Sequence, residues 1–365
     1  MRIVLDATPL LGRRTGVGRY AHHLVRELPA ALVRAGLGDV ETAVSTWTAR
    51  GGRLTDLPAG VRQVGPRVPA RVLREAWLRW DHPRAEALVG RCAVFHGTNF
   101  VSPPSRHARE VLTVHDLTYE LHRETVSADS LAYRSLVRRA LRRGAHVVTP
   151  SRAVAEAVRD FYDLDAERVT PTPLGVEPAW FDATPRVPEP LAGQVGVDDF
   201  YLFVGSLDPR KNLARLVEAH AALRRSRPGT PPLVLAGPAG RSAVDGSGSD
   251  VHLAGWLDDD QLRGLVAASR ALVLPSLDEG FGLPALEALA AGRPVVASSI
   301  DAVREVVGPH GLLHAAQDVT AIAGALEEVL GAPDDDAARA ARRAHARGWT
   351  WAACADATVG AYGLG

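Results

Sequence analysis

The sequence predicts an α/β protein of two doubly wound, Rossmann-like domains facing a central cleft. Three observations carry that expectation. The chain has 365 residues, more than one ordinary hydrophobic core holds, so two domains are the natural division. Short apolar runs alternate with helical patterns along almost the whole length, which is the rhythm of a parallel sheet covered by helices. A Pro-rich stretch, "TPRVPEPLAGQVGVDD" at 184–199, separates a first series of runs from a second.

Taken in order, "RIVLD" at 2–6 reads as a buried strand, and Val17, Tyr20, Leu24, Leu28 and Leu32 then recur at helical spacing. Further strand candidates are "VETAV" at 40, "AVFH" at 93, "EVLTVH" at 110, "HVVTP" at 146 and "RVTPTPL" at 168. Beyond the Pro-rich stretch come "YLFVG" at 201, "PLVLAG" at 232, "VHLAG" at 251, "ALVLP" at 271 and "PVVAS" at 294. Ligands of open α/β sheets bind outside the carboxyl ends of strands, so the residues that follow these runs are the candidates. A Gly/Ser loop, "DGSGSD" at 245, is the low-complexity stretch.

Composition excludes several classes. Apolar content of 46% and charged content of 23% are ordinary for a soluble globular enzyme. Acidic and basic residues balance at 42 each, which argues against nucleic acid as a partner. Cys92 and Cys354 lie far apart in no metal-ligand spacing and fit a reduced, cytoplasmic compartment. The opening "MRIVLDATPLLGRRTG" reads as a first strand, not a secretory leader, and no run approaches membrane-spanning length.

Chemistry concentrates in "PSLDEGFGLPALEALAAGRPVVAS" at 275–298. Gly280 and Gly282 flank Phe281, Pro284 suits the first turn of a helix, and Gly292 suits its end. The free N–H groups of such a helix start receive phosphate or sugar oxygens. Glu279 and Glu287 border the same place. A carboxylate repels phosphate, so a binding role for either acid is to accept hydrogen bonds from hydroxyl groups. Either acid alone would serve equally well as a complement to the helix dipole.

The string "EGFGLPALEALAAGRPVVAS" resembles the signature of the retaining glycosyltransferases of family 4, which have the GT-B fold: Glu, seven residues, Glu around a Gly-Phe-Gly turn. The resemblance continues through "GVGRY", "HGTN", "VHDL", "VTPSRAV", "PLGVE", "GSLDPRKNL" and "WTWAACADATVGAY". It implies an acceptor-binding domain over 1–183, a linker at 184–199, a nucleotide-sugar-binding domain over 200–345, and a last helix within 346–365 that crosses back to the first domain.

Carried over by position, Glu287 would hold the ribose hydroxyls, and Glu279 the hydroxyls of the donor sugar beside the N–H groups of Gly280, Phe281, Gly282 and Leu283. Arg210 and Lys211, after the strand that Gly205 closes, would neutralise the donor diphosphate and stabilise the leaving group. Lys211 is the only lysine of the chain, placed where a compact cation meets phosphate oxygens. Many family members have arginine after that strand-closing glycine, where this chain has Ser206, so Arg210 is expected to supply the charge.

In the first half, Gly16 of "TGVGRY" would touch the donor phosphate, His115 would lie by the reaction centre with Asp116 orienting it, and His96, Thr98 and Asn99 would line the acceptor side. Ser151 has the look of a helix N-cap, and Gly175, Val176 and Glu177 resemble the interdomain turn.

The reaction implied is transfer of a sugar from a nucleoside diphosphate to a hydroxyl with retained anomeric configuration. It occurs on a single face and needs no enzyme nucleophile, metal or other cofactor. The branch resembled is rich in mannosyltransferases of bacterial polysaccharide synthesis. GDP-mannose is therefore the first expected donor and a UDP-sugar the alternative, with a glycan or lipid-linked glycan as acceptor.

Trp256 is a candidate for the nucleobase or for the core. "RVPARVLREAWLRWDHPRAEAL", with Trp77, Leu78 and Trp80, reads either as a membrane-surface helix at the inner face of the cell membrane or as a helix packed on its own domain. The arginines of "YRSLVRRALRRGAH" read as a solvated face. Other classes kept in view are a nucleotide-sugar epimerase, a sugar-phosphate synthase and a non-catalytic partner subunit.

Overall fold

A computed structural model describes residues 1–49, 53–189, 191–197, 199–242, 250–332 and 334–364. Residues 245–249 of the Gly/Ser loop lie outside the described residues. The chain forms two compact units, the first from Met1–Gly175 with Thr350–Gly365, the second from Val176–Trp349. Residues 176–183, grouped with the N-terminal domain by the sequence, thus pack with the second unit, as do the described residues of the 184–199 segment expected to be a linker. Arg186 shows how, because its N–H donates to the Gly264 carbonyl at 3.0 Å.

Among the described residues of the first unit, seven parallel strands form one sheet: β1 (Arg2–Asp6), β2 (Glu41–Ser45), β3 (Arg62–Gln63), β4 (Val94–Gly97), β5 (Arg109–Thr113), β6 (His146–Thr149) and β7 (Val169–Pro171). Their spatial order is β3-β2-β1-β4-β5-β6-β7. Ile3, Val4, Leu5, Phe95 and Val111 are fully buried, as strands covered on both faces require. The helical spacing after β1 forms the helix Gly16–Arg34, which buries Tyr20, Leu24, Leu28 and Leu32. Against it packs the C-terminal helix Trp351–Tyr362.

The second unit repeats the plan with β8 (Tyr201–Val204), β9 (Leu233–Ala236), β10 (Val251–Gly255), β11 (Ala271–Leu274), β12 (Val295–Ser298) and β13 (Gly311–His314) in the order β10-β9-β8-β11-β12-β13. In both sheets the strand order reverses once, between β1 and β4 and between β8 and β11. Such a switch point leaves the loops on either side diverging to opposite faces, and the crevice between them is where doubly wound sheets take ligands.

Two surface expectations resolve. Trp77 is buried against Trp47, with ring centroids 6.1 Å apart, and its indole N–H donates to the Pro83 carbonyl at 2.9 Å; Trp80 stays 61% exposed. The helix Ala70–Arg79 therefore packs one face on its own unit and leaves Val72 exposed on another. The arginine run is not simply a solvated face. Arg134 and Arg138 bind the buried Glu120, while Arg143 binds Glu110 at 2.9 Å and, with Arg139, Asp81.

Candidate active site

The switch point of the second unit gathers most of the donor-side candidates. From β8 the chain passes Gly205 and Ser206 into a single 3-10 turn, Pro209–Lys211; from β11 it runs through Pro275 and Ser276 to Glu279. The two loops meet in an ion pair: Lys211 Nζ lies 2.5 Å from Glu279 Oε1, with both side chains about nine-tenths buried. Arg210 Nη1 reaches Glu279 Oε2 at 3.5 Å and the Asp278 carbonyl at 3.4 Å, and Ser276 Oγ donates to Glu279 Oε1 at 2.6 Å.

Burial alone would raise the pKa of Glu279, but Lys211, then Arg210, outweigh it and bring the carboxyl down to about 2. Two cations thus share one carboxylate. Cationic side chains held at a switch point are the residue types that receive an anionic ligand.

After Glu279 the backbone turns through Gly282 at φ 93°, a left-handed conformation that costs any residue with a Cβ, into the helix Leu283–Ala290. Pro284 occupies its first turn, where a missing N–H is no loss. The Phe281 ring turns inward onto Trp349, at 5.4 Å between centroids, so only its backbone can face a ligand. Glu287 lies on the second turn and is 5% exposed. Trp256, just past β10, is 37% exposed and so is not part of the core.

At the switch point of the first unit the helix Gly16–Arg34 starts with Gly16 in open space, whereas a Cβ on Gly18 would stand 2.9 Å from the Pro9 carbonyl oxygen. Packing within the protein thus accounts for Gly18 and leaves Gly16 free to face a ligand. His115, beyond β5, donates from Nε2 to the Thr98 carbonyl at 2.9 Å and is edged by the rings of Tyr20 and Phe100. Burial lowers its pKa, against the opposing pull of the Thr98 bond and Asp116. The ring is therefore neutral at pH 7, with Nδ1 left as an acceptor.

Three sequence expectations are corrected here. His96 is fully buried, its Nδ1 2.9 Å from the Tyr362 hydroxyl and its Nε2 2.8 Å from the Thr113 hydroxyl, so it cannot line an acceptor surface. Thr98 is equally buried and donates to the Asp6 carbonyl at 2.6 Å. Asp116 accepts from the Thr118 N–H at 3.0 Å in the turn ahead of the short helix Thr118–Leu121, while the Thr98 carbonyl is what fixes His115. Asn99 remains half-exposed. Ser151 caps its helix through a bond from the Val154 N–H at 3.2 Å.

The sequence reading missed Ser276 and Asn212, both in direct contact with the donor-side loops. It also missed Asp6, whose burial at the end of β1 raises its carboxyl to about 6 despite two bonds from Thr8. A strand-end position was the available signal for Asp6.

Comparison with known proteins matches these units to two families: residues 14–180 to "Glycosyltransferase Family 4" and residues 199–332 to "Glycosyl transferases group 1". An Escherichia coli protein described as O-antigen chain mannosyltransferase B is 30% identical over a 404-residue alignment that covers all of both chains. A Mycolicibacterium hassiacum protein, described as MMP alpha-(1->4)-mannosyltransferase, is 32% identical over 62% of this chain and 55% of its own. Among solved structures, sucrose-phosphate synthase from Thermosynechococcus elongatus superposes with a TM-score of 0.71 at 22% identity over 97% of this chain and 96% of that one. The paired sheets, the motif loops at their switch points and a relative matched from end to end agree: this chain belongs to the family 4 glycosyltransferases of GT-B fold, enzymes that draw on a nucleotide-sugar donor.

Proposed function

We propose that the protein transfers mannose from GDP-mannose, with retention, to a hydroxyl of a glycan or lipid-linked glycan in polysaccharide synthesis. The observation that carries this reading is the meeting of Arg210 and Lys211 with the buried Glu279 at the switch point of the second unit, two cations and a carboxylate gathered where doubly wound sheets take ligands. Lys211 and Arg210 take the diphosphate and hold its charge as the glycosidic bond breaks. Glu279 accepts from the donor sugar's hydroxyls, the N–H groups of Gly280, Phe281, Gly282 and Leu283 lie beside it, and Glu287 accepts from the ribose. Gly205 keeps the start of the loop small. Gly16 approaches the phosphate and His115 the reacting sugar, while Asn99 serves the acceptor. Trp256 offers a face to the nucleobase. The end-to-end relative described as a mannosyltransferase favours mannose.

No enzyme nucleophile is needed, because the departing phosphate oxygen takes the acceptor proton on the same face. Chelation should leave activity unchanged; loss restored by a divalent cation would overturn that. A lipid-linked acceptor places the enzyme at the inner face of the cell membrane, with Val72 and Trp80, both exposed, as contacts. Among the described residues no helix is long and apolar enough to cross a membrane. Sedimentation with anionic vesicles at physiological salt tests that contact.

The deciding experiment supplies GDP-mannose and UDP-hexoses with a mannoside acceptor and reads the product's anomeric configuration by NMR. An α-mannoside is expected. A β product would refute retention, and product from a UDP-sugar alone would replace the donor.

A further inference from the structure

We infer that Asn212 is a positioning residue for the donor site, acting through Lys211. It follows Lys211 directly, is 5% exposed and sits in the left-handed region at φ 59°, at the position just before the helix Leu213–Ser226. Asparagine tolerates that conformation better than most residues with a Cβ.

Its side chain is fully engaged. Nδ2 donates to the Pro275 carbonyl at 3.0 Å and to the Ala316 carbonyl at 2.6 Å, and Oδ1 accepts from Arg215 Nη1 at 2.8 Å. Pro275 ends the run from β11 into the Glu279 loop, and Ala316 follows β13, so a single amide ties the lysine turn to two other segments at the carboxyl edge of the sheet. A second tie runs alongside, from the Leu277 N–H to the Arg210 carbonyl at 2.8 Å.

Lys211 is a flexible side chain, and its Nζ meets Glu279 only because its Cα is held at this distance from the β11 loop. Asn212 supplies the side-chain part of that hold. The inference rests on Lys211 being the diphosphate contact proposed above.

The test measures affinity for GDP and UDP by calorimetry, and for guanosine and uridine by competition, on wild type, Asn212→Gly, Lys211→Ala and the double variant. Glycine keeps the left-handed backbone and removes only the side-chain bonds. Asn212→Asp, which keeps the shape but turns the donor toward two carbonyls into an acceptor, is the second probe.

Both Asn212 variants should weaken the nucleoside diphosphate about tenfold or more while leaving the nucleoside unchanged. The double variant should bind no worse than Lys211→Ala alone. If the two losses multiply, or if nucleoside affinity falls equally, Asn212 does not act through Lys211 and the assignment is overturned while the donor site stands. If wild type binds neither GDP nor UDP, the donor-site reading fails and this inference fails with it.

Discussion

Each unit carries a buried polar cluster near the carboxyl edge of its sheet, and the two are built on opposite electrostatic plans. In the first unit the hydroxyls of Tyr20 and Thr113, the ring of His96 and the hydroxyl of Tyr362 form a chain with links of 2.9, 2.8 and 2.9 Å. All of its members are neutral, since burial lowers His96 to about 3 and raises both tyrosines. In the second unit, Arg210, Lys211 and Glu279 form a charged cluster. A neutral chain that uses both nitrogens of its histidine has no capacity left for a ligand and serves to fix a fold. The charged set is costly to bury and is worth keeping where it acts on a ligand.

The neutral chain anchors the C-terminal helix, so the largest effect on this comparison comes from removing that helix. Deleting residues 350–365 strips Trp351, Cys354, Val359 and Tyr362 from the first unit. At roughly 3–5 kcal/mol for each large side chain, the loss approaches a domain's whole stability. Circular dichroism and amide exchange should find that unit unfolded; a folded, active truncation would break the account.

Next in size, Lys211→Ala leaves Glu279 buried without its main partner. A destabilisation of about 3–5 kcal/mol is expected from chemical denaturation, with kcat down by about 10²–10³ in a transfer assay. Unchanged stability would mean that the pair is relaxed in solution.

Tyr362→Phe is smaller. It orphans His96 Nδ1 and should cost about 1–3 kcal/mol in denaturant while nucleotide affinity holds. A parallel loss of affinity would contradict the division of labour.

Acid separates the clusters most finely. The pKa of His96 falls from 6.5 to about 3 on folding, so below pH 6.5 the unfolded chain binds a proton that the folded one refuses, and stability drains away down to about pH 3. Glu279 falls from 4.5 to about 2, and its contribution is complete above pH 4.5 and lost as pH falls toward 2. Burial also holds His220 and His314 of the second unit neutral, so the observable is local. Amide exchange in β4 and β5 should accelerate at a higher pH than exchange in the Glu279 loop.

What the sequence disclosed follows the range of the interactions. Strands with apolar runs were legible one by one because a strand covered on both faces needs nothing beyond its own residues. β3, with only Arg62 and Gln63 at a sheet edge, and β13, with a two-leucine run, carry too little pattern to be read. The Lys211–Glu279 pair spans 68 positions; the family signature singles out both residues, but their contact was not legible. His96 was misassigned because its partner Tyr362 lies 266 positions away, beyond the reach of any local pattern. The arginine run looked solvated for the same reason: Glu120, Glu110 and Asp81 come from other segments.

The central claim is that the charged cluster takes the donor diphosphate while the neutral one holds the fold. Titration calorimetry of GDP and UDP into wild type, Lys211→Ala and Tyr362→Phe tests it most directly. The account predicts that one nucleotide binds wild type and Tyr362→Phe alike and binds Lys211→Ala at least about tenfold more weakly. Equal binding by all three proteins would contradict it.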